Sequence, residues 1–240
     1  MTTAPTAGAP RIRQLVLLVP DLEAALTEVR EAFGFGTGLR DVEEMAKLGF
    51  EHEIFTFTDT FLEVCAPIGP AWPHARMVAK RGAMGYMVDV QVPDLDAVVA
   101  RAAEAEISPL FVQPFHDSVI SQWHPRSLGT LAEFDQIEPA ETWHYAPEIF
   151  AGSTTTVGTD LVGAEIAVAD PEEMTAVWAR LLDVVPTGPT TLDLGGTTLR
   201  FVEGTEGFRA IDVAAADPDR IGETVSVAGV AFTFVAGGSR

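Results

Sequence analysis

Four times along the chain, a run of β-forming apolar residues meets an aspartate and passes into helical spacing. Residues 14–22 read QLVLLVPDL and residues 87–95 read MVDVQVPDL. Each opens as a strand-like run, reaches a Pro-Asp joint and turns amphipathic. Behind the first joint, Leu22, Leu26, Val29 and Phe33 fall on one helix face, and behind the second Leu95, Val98, Val99 and Ala102 do the same. A third copy, EIAVADPEEM, begins at Glu165 and carries Met174, Val177, Trp178 and Leu181 on its helix. A fourth, DVAAADPDR, begins at Asp212. Asp21, Asp94 and Asp170 stand where N-caps belong, with Pro171 at the first helical position.

The segments behind the helices repeat as well. Short strand-like runs joined by turns come after the first (Phe50–Thr58, Phe61–Ala66) and the second (Ser108–Phe115, Val119–His124, Thr130–Asp135). The third ends in a hairpin around Gly195-Gly196. The expected fold class is therefore α+β, built of tandem βαβββ modules. Residues 11–66 and 83–136 form the first pair, 137–159 are a linker rich in Pro, Thr and Gly, and 160–235 hold a third module and a truncated fourth.

Composition narrows the function classes. The formal charge of −20, from 35 acids against 15 bases, leaves no basic stripe for nucleic acid or an anionic membrane. The expected partner is a small molecule. No apolar run approaches the roughly 20 residues of a membrane helix. Met1–Pro10 lacks the pattern of a secretory signal, and Cys65, the one cysteine, rules out an internal disulfide. A cytoplasmic protein is expected, with Cys65 a buried structural thiol.

Three strings carry a family resemblance: the two VPDL joints, TFLEVCAP at residues 60–67, and WHPRSLGTLAEFD at residues 123–135. A tandem of modules bearing them resembles the vicinal oxygen chelate superfamily, which includes glyoxalase I, bleomycin- and fosfomycin-resistance proteins, extradiol dioxygenases and methylmalonyl-CoA epimerase. The resemblance implies that paired modules curl one mixed sheet into a cup holding a divalent metal. By position, the ligand places are Gln14, Glu63, Met87 and Glu133, with Glu63 following Gln14 at nearly the interval by which Glu133 follows Met87. Gln14, Glu63 and Glu133 suit magnesium, manganese, nickel or zinc, whereas the Met87 thioether is a poor ligand for such ions.

With Met87 facing the cup, strand alternation turns Asp89 and Gln91 inward too. The same step from Glu63 gives Phe61 and Cys65, from Gln14 gives Val16 and Leu18, and from Glu133 gives Leu131 and Asp135. Glu63, Glu133 and His124 are the candidate catalytic groups. Met87, Asp89, Gln91, His52, Phe61 and Trp123 are candidate substrate contacts. Tyr86 is expected on the helix side unless a strand irregularity turns it inward, His74 and His116 in loops, and His144 in the linker. Glu165 and Glu203 are the matching places of the third module, whose half is expected to brace the first.

Crowded carboxyls raise one another's pKa unless a cation or a donor intervenes. Either a metal neutralises them, or one stays protonated and serves as an acid or base. The resemblance implies an enzyme with isomerase or lyase chemistry through a metal-stabilised enolate on a small oxygenated metabolite. Iron oxygenase chemistry is disfavoured, since neither first strand supplies a histidine. The alternative is a metal-free protein that binds or sequesters an apolar or cationic ligand, as bleomycin-resistance proteins do. Monomer and homodimer both stay open.

Overall fold

The computed structural model describes residues 8–115, 118–152 and 155–237. His116 and most of the N-terminal segment lie outside them. The chain runs β1 (Arg11–Leu18), α1 (Leu22–Phe33), α2 (Val42–Leu48), β2 (Phe50–Thr56), β3 (Phe61–Pro67), α3 (Pro73–Arg81), β4 (Met84–Gln91), α4 (Leu95–Glu104), β5 (Phe111–Phe115), β6 (Ser118–Trp123), α5 (Pro125–Leu128) and β7 (Leu131–Gln136). The second half continues as β8 (Gly158–Val168), α6 (Pro171–Leu182), β9 (Thr191–Leu194), β10 (Thr197–Glu203), β11 (Gly207–Ala215), β12 (Thr224–Val227) and β13 (Val230–Val235). Among the described residues no helix is long and apolar enough to cross a membrane.

Three of the four joints work as their sequence implies. The carboxylates of Asp21, Asp94 and Asp170 accept from the amides of Ala24, Ala97 and Glu173, capping α1, α4 and α6. Asp217 caps only a short 3-10 turn, so the fourth module is truncated at its helix. One seven-stranded sheet has the order β2-β3-β1-β4-β7-β6-β5, and a six-stranded sheet has the order β12-β13-β11-β8-β10-β9. Each sheet is joined at its centre by an antiparallel pair, β1 with β4 and β8 with β11. Each first strand also pairs in parallel with the last strand of its own module. Among the described residues, only 84–136 keep all four strands of a module; in the first, a single bridge between Leu39 and Ile54 stands in the place of the fourth.

The convex faces and their helices meet in one shared core. Leu15, Leu17, Val88, Val90 and Phe134 pack there with Trp178, Phe201 and Phe232 of the second half. The Phe33 ring on α1 meets Phe232 edge-on at 5.1 Å. This leaves the concave face of the first sheet pointing away from the second half.

Two bulges in the β1–β4 pair shape that concave face. Ile12 pairs with Val90 and Gln14 with Asp89, so Arg13 is an extra residue on β1. Val16 pairs with Met87 and Leu17 with Gly85, so Tyr86 is an extra residue on β4. Tyr86 therefore packs with Val16, Leu18 and Met87 on the concave side instead of the helix side expected for it.

Candidate active site

The concave face is read most simply as rungs across the sheet. One rung holds Phe61, Gln14, Asp89 and Glu133; the next holds Glu63, Val16, Met87 and Leu131. Strand β2 adds His52 opposite Cys65 and Ile54 opposite Glu63. Gln14, His52, Glu63, Asp89 and Gln91 are all buried. Alternation alone places Phe61, Glu63, Met87, Asp89 and Gln91 on this face. Buried polar groups require partners, and here the partners form two groups.

The first is a continuous chain of hydrogen bonds. The Trp143 indole N–H donates to Gln14 Oε1 (3.0 Å), and Gln14 Nε2 donates to Glu63 Oε2 (2.7 Å). Glu63 Oε1 lies 2.5 Å from His52 Nδ1, and His52 Nε2 accepts from the Asp41 amide at 2.8 Å. An indole and a backbone amide can only donate. Those two ends therefore fix the Gln14 amide with its oxygen toward Trp143 and the neutral His52 with its proton on Nδ1. Both oxygens of Glu63 thus accept from donors that are themselves held in place.

The second group is acidic. Asp89 is 3 % exposed, its Oδ1 has no hydrogen-bond partner, and it stands opposite Glu133 in the β4–β7 register. Burial first, then the charges of Glu133, Asp135 and Glu63, hold the Asp89 carboxyl well above the usual carboxylate range. Glu133 is only partly covered. The surrounding protein still raises its carboxyl well above the ordinary value, with Asp135 and Glu63 adding to the effect. Burial does the same to Asp135. His144 Nε2 sits 2.8 Å from Asp135 Oδ2, and burial depresses this imidazole to about 4 against the pull of Glu133 and Glu63. Both shifts favour the uncharged forms of Asp135 and His144.

Residues 137–151, expected to be a plain connection, lie against the cup. Ile137, Trp143 and Ile149 are buried with Ile54 and Phe61. Gln91 Nε2 and Thr56 Oγ1 donate to the carbonyls of Ala140 and Ile149, at 2.7 and 2.6 Å. Arg13, turned inward by its bulge, donates to Gln91 Oε1 (2.8 Å) and lies over the rings of Trp143 and Phe61, at 5.2 and 5.6 Å. Beside this strap, a cleft of about 860 Å³ is lined by Asp41, Glu43, Glu44, Glu138, Tyr145 and Glu148, among others.

Three expected placements are corrected. His124 is exposed, and its ring accepts from the Arg126 amide to cap α5, so it does not reach the cup. Trp123 is fully buried on the convex side against Phe134, its N–H given to Ser121. His74 lies on α3, buried and stacked on Phe50, in place of a loop. Arg13, Trp143 and His144 join the cup although the sequence pattern does not single them out. In the second half, Glu165 pairs with Arg200, which also donates to Asp212, and Glu203 is exposed.

The donors expected for a divalent ion do not fit one as arranged. Gln14 turns its nitrogen, not its oxygen, toward Glu63, and both Glu63 oxygens are committed to N–H groups. Among the described residues no three His, Cys, Asp or Glu side chains converge to hold an ion. Met87 occupies another of the four ligand places, and Gln122 Nε2 approaches its sulfur at 3.7 Å.

Residues 15–182, more than half of the chain, match the glyoxalase-like domain family. The chain belongs to that family. With it comes membership of the vicinal oxygen chelate superfamily. No curated protein sequence matches this glyoxalase-like chain. A protein from Staphylococcus aureus described as hypothetical superposes with a TM-score of 0.69 at 9 % identity, over 95 % of this chain and 99 % of the other, and so shares the fold. Methylmalonyl-CoA epimerase from Mycobacterium tuberculosis aligns at 19 % identity and TM-score 0.47, over 63 % of this chain and 97 % of its own. A methylmalonyl-CoA epimerase in complex with methylmalonyl-CoA and ammonium aligns at 21 % and 0.47, over 56 % and 99 %.

Proposed function

We propose that this glyoxalase-like chain is an enzyme that moves a proton on a small oxygenated metabolite, giving isomerase- or lyase-type chemistry. One observation carries the reading: two sets of carboxyls share a cup but differ in environment. Glu63 accepts from two fixed donors. Asp89 and Glu133 face one another and are pushed toward the protonated form. Pairs of titratable groups in opposed environments divide acid and base roles.

In this mechanism the substrate carbonyl oxygen accepts a hydrogen bond from the protonated Glu133 carboxyl at the open side of the cup. Burial, with the charges of Asp135 and Glu63, keeps the Glu133 carboxyl toward its protonated form. Glu63, oriented by His52 and Gln14, takes the proton from the adjacent carbon. The carbon's electron pair becomes an enolate held by Glu133. Return of the proton to the other carbon or face completes an isomerisation, and expulsion of a β-substituent completes an elimination. No step runs through magnesium, manganese, nickel or zinc, because the donors for such an ion are not assembled.

The test is hydrogen exchange in D₂O on a panel of α-hydroxy ketones and aldehydes, followed by NMR. Deuterium entering α to the carbonyl with the wild type, and lost in both Glu63→Gln and Glu133→Gln, supports the proposal. Exchange that survives both substitutions sinks it.

The acid-lined cleft beside the strap favours a second reading, capture of a cationic or apolar ligand without turnover. Saturable binding of an organic cation, with no exchange on any panel member, would select that reading over the enzyme.

A further inference from the structure

The concave face is divided along its strands. Toward the C-terminal end of β1 the polar groups thin to Glu63 and His52 on β3 and β2, and Val16, Leu18, Cys65, Val78, Met87 and Leu131 form an apolar cluster of their own. Four of the chain's six methionines (Met45, Met77, Met84 and Met87) and its one cysteine belong to it. Met45, Met77, Met84 and Tyr86, on α2, α3 and the start of β4, are only partly buried, so this apolar wall has a partly exposed edge. Its inner end is continuous with the site: Met87 and Leu131 sit one step along their strands from Asp89 and Glu133. A partly open apolar surface running into buried carboxyls is unusual for a structural core. Unbranched methionine side chains suit a surface that must fit flexible chains.

We infer that the substrate is amphiphilic: an oxygenated head at Glu133 and Asp89, and an unbranched apolar tail laid along the methionine wall. This rests on the proposed role of the cup as the substrate site and adds the class of molecule that enters it.

The test is calorimetric titration with straight-chain alkylhydroxamic acids, from acetohydroxamic to octanohydroxamic acid, whose two adjacent oxygens are uncharged near neutral pH. Affinity is expected to rise about fourfold per added methylene over the length of the wall. Met45→Asn and Met77→Asn, both at the open rim, should each cut the ratio of octano- to acetohydroxamic affinity several-fold. Glu133→Ala should weaken every member by a similar factor and leave the slope in place.

Binding that does not depend on chain length overturns the inference and leaves the proton-transfer proposal standing. A slope that persists while Glu133→Ala changes nothing upholds the tail and overturns the head assignment. If no member binds, or if the rim substitutions instead alter self-association in sedimentation velocity, the wall is not a ligand surface and the inference fails.

Discussion

Replacing Asp89 by Asn is predicted to stabilise the protein at and above neutral pH. Asp89 is 3 % exposed, its Oδ1 has no partner, and Glu133 and Asp135 press on it from the adjacent strand. Its carboxyl is raised in the folded state, so the folded chain binds that proton more tightly than the unfolded one. Stability then falls as pH rises from the unfolded value toward the folded one, by about 1.4 kcal/mol per pH unit while the two states differ by a full proton. Asn matches the protonated acid in shape and cannot ionise, so it removes this slope. The expected gain at about pH 8 is on the order of 1–3 kcal/mol, or roughly 3–10 °C in melting temperature, shrinking toward zero near pH 5. Because the charge of Glu133 raises Asp89, Asp89→Asn combined with Glu133→Gln should gain less than the sum of the two, with a coupling on the order of 1 kcal/mol. Urea unfolding of the four proteins at both pH values measures all of this. A less stable Asp89→Asn protein at the higher pH, or a pH-independent difference, would refute the reasoning.

The remaining predictions concern the strap, the seam and a buried ion pair. Trp143→Phe keeps the ring near Phe61 but removes the donor to Gln14 Oε1. It should cost about 1–3 kcal/mol in urea unfolding, and Trp143→Ala considerably more. At Gly85 a Cβ would meet the Phe208 ring at 2.5 Å where the two sheets touch, so Gly85→Ala should lower the melting temperature by several degrees. Glu53 is buried against Arg30, Arg40 and the Gly38 amide. Burial raises its carboxyl, but those three donors outweigh it and hold the value below normal. Its contribution is present above the unfolded carboxyl value and disappears as pH falls through the lower folded one. Glu53→Gln should therefore cost about 2 kcal/mol at neutral pH, discounted for the partly exposed arginines, and the gap to wild type should close in acid.

Much of this architecture is legible in the sequence because its determinants are local. The caps at Asp21, Asp94 and Asp170, and the apolar helix faces behind them, depend on neighbours within a few residues. The inward set Met87, Asp89 and Gln91 follows from the pleat of one strand. The residues that sequence reasoning misses depend on partners far away. Arg13 and Tyr86 reach the concave face through bulges set by how β1 and β4 align, which alternation within either strand does not reveal. Trp143 and His144 come from a stretch with no periodicity, and Trp143 bonds to a residue 129 positions before it in the chain. His124 shows the opposite error. A histidine in a motif invites a catalytic role, but the turn made by Pro125 and Gly129 claims its ring as a cap.

The central claim is that the cup keeps carboxyls protonated near neutral pH without a bound cation. Carboxyl ¹³C NMR titration of protein selectively labelled in Asp and Glu, assigned with Asp89→Asn and Glu133→Gln, tests it directly. Two resonances should remain in the protonated position well above the ordinary carboxylate range, and Glu133→Gln should lower the Asp89 shift only in part, because burial is its larger cause. Resonances of Asp89 and Glu133 that both titrate with the surface carboxylates would contradict it.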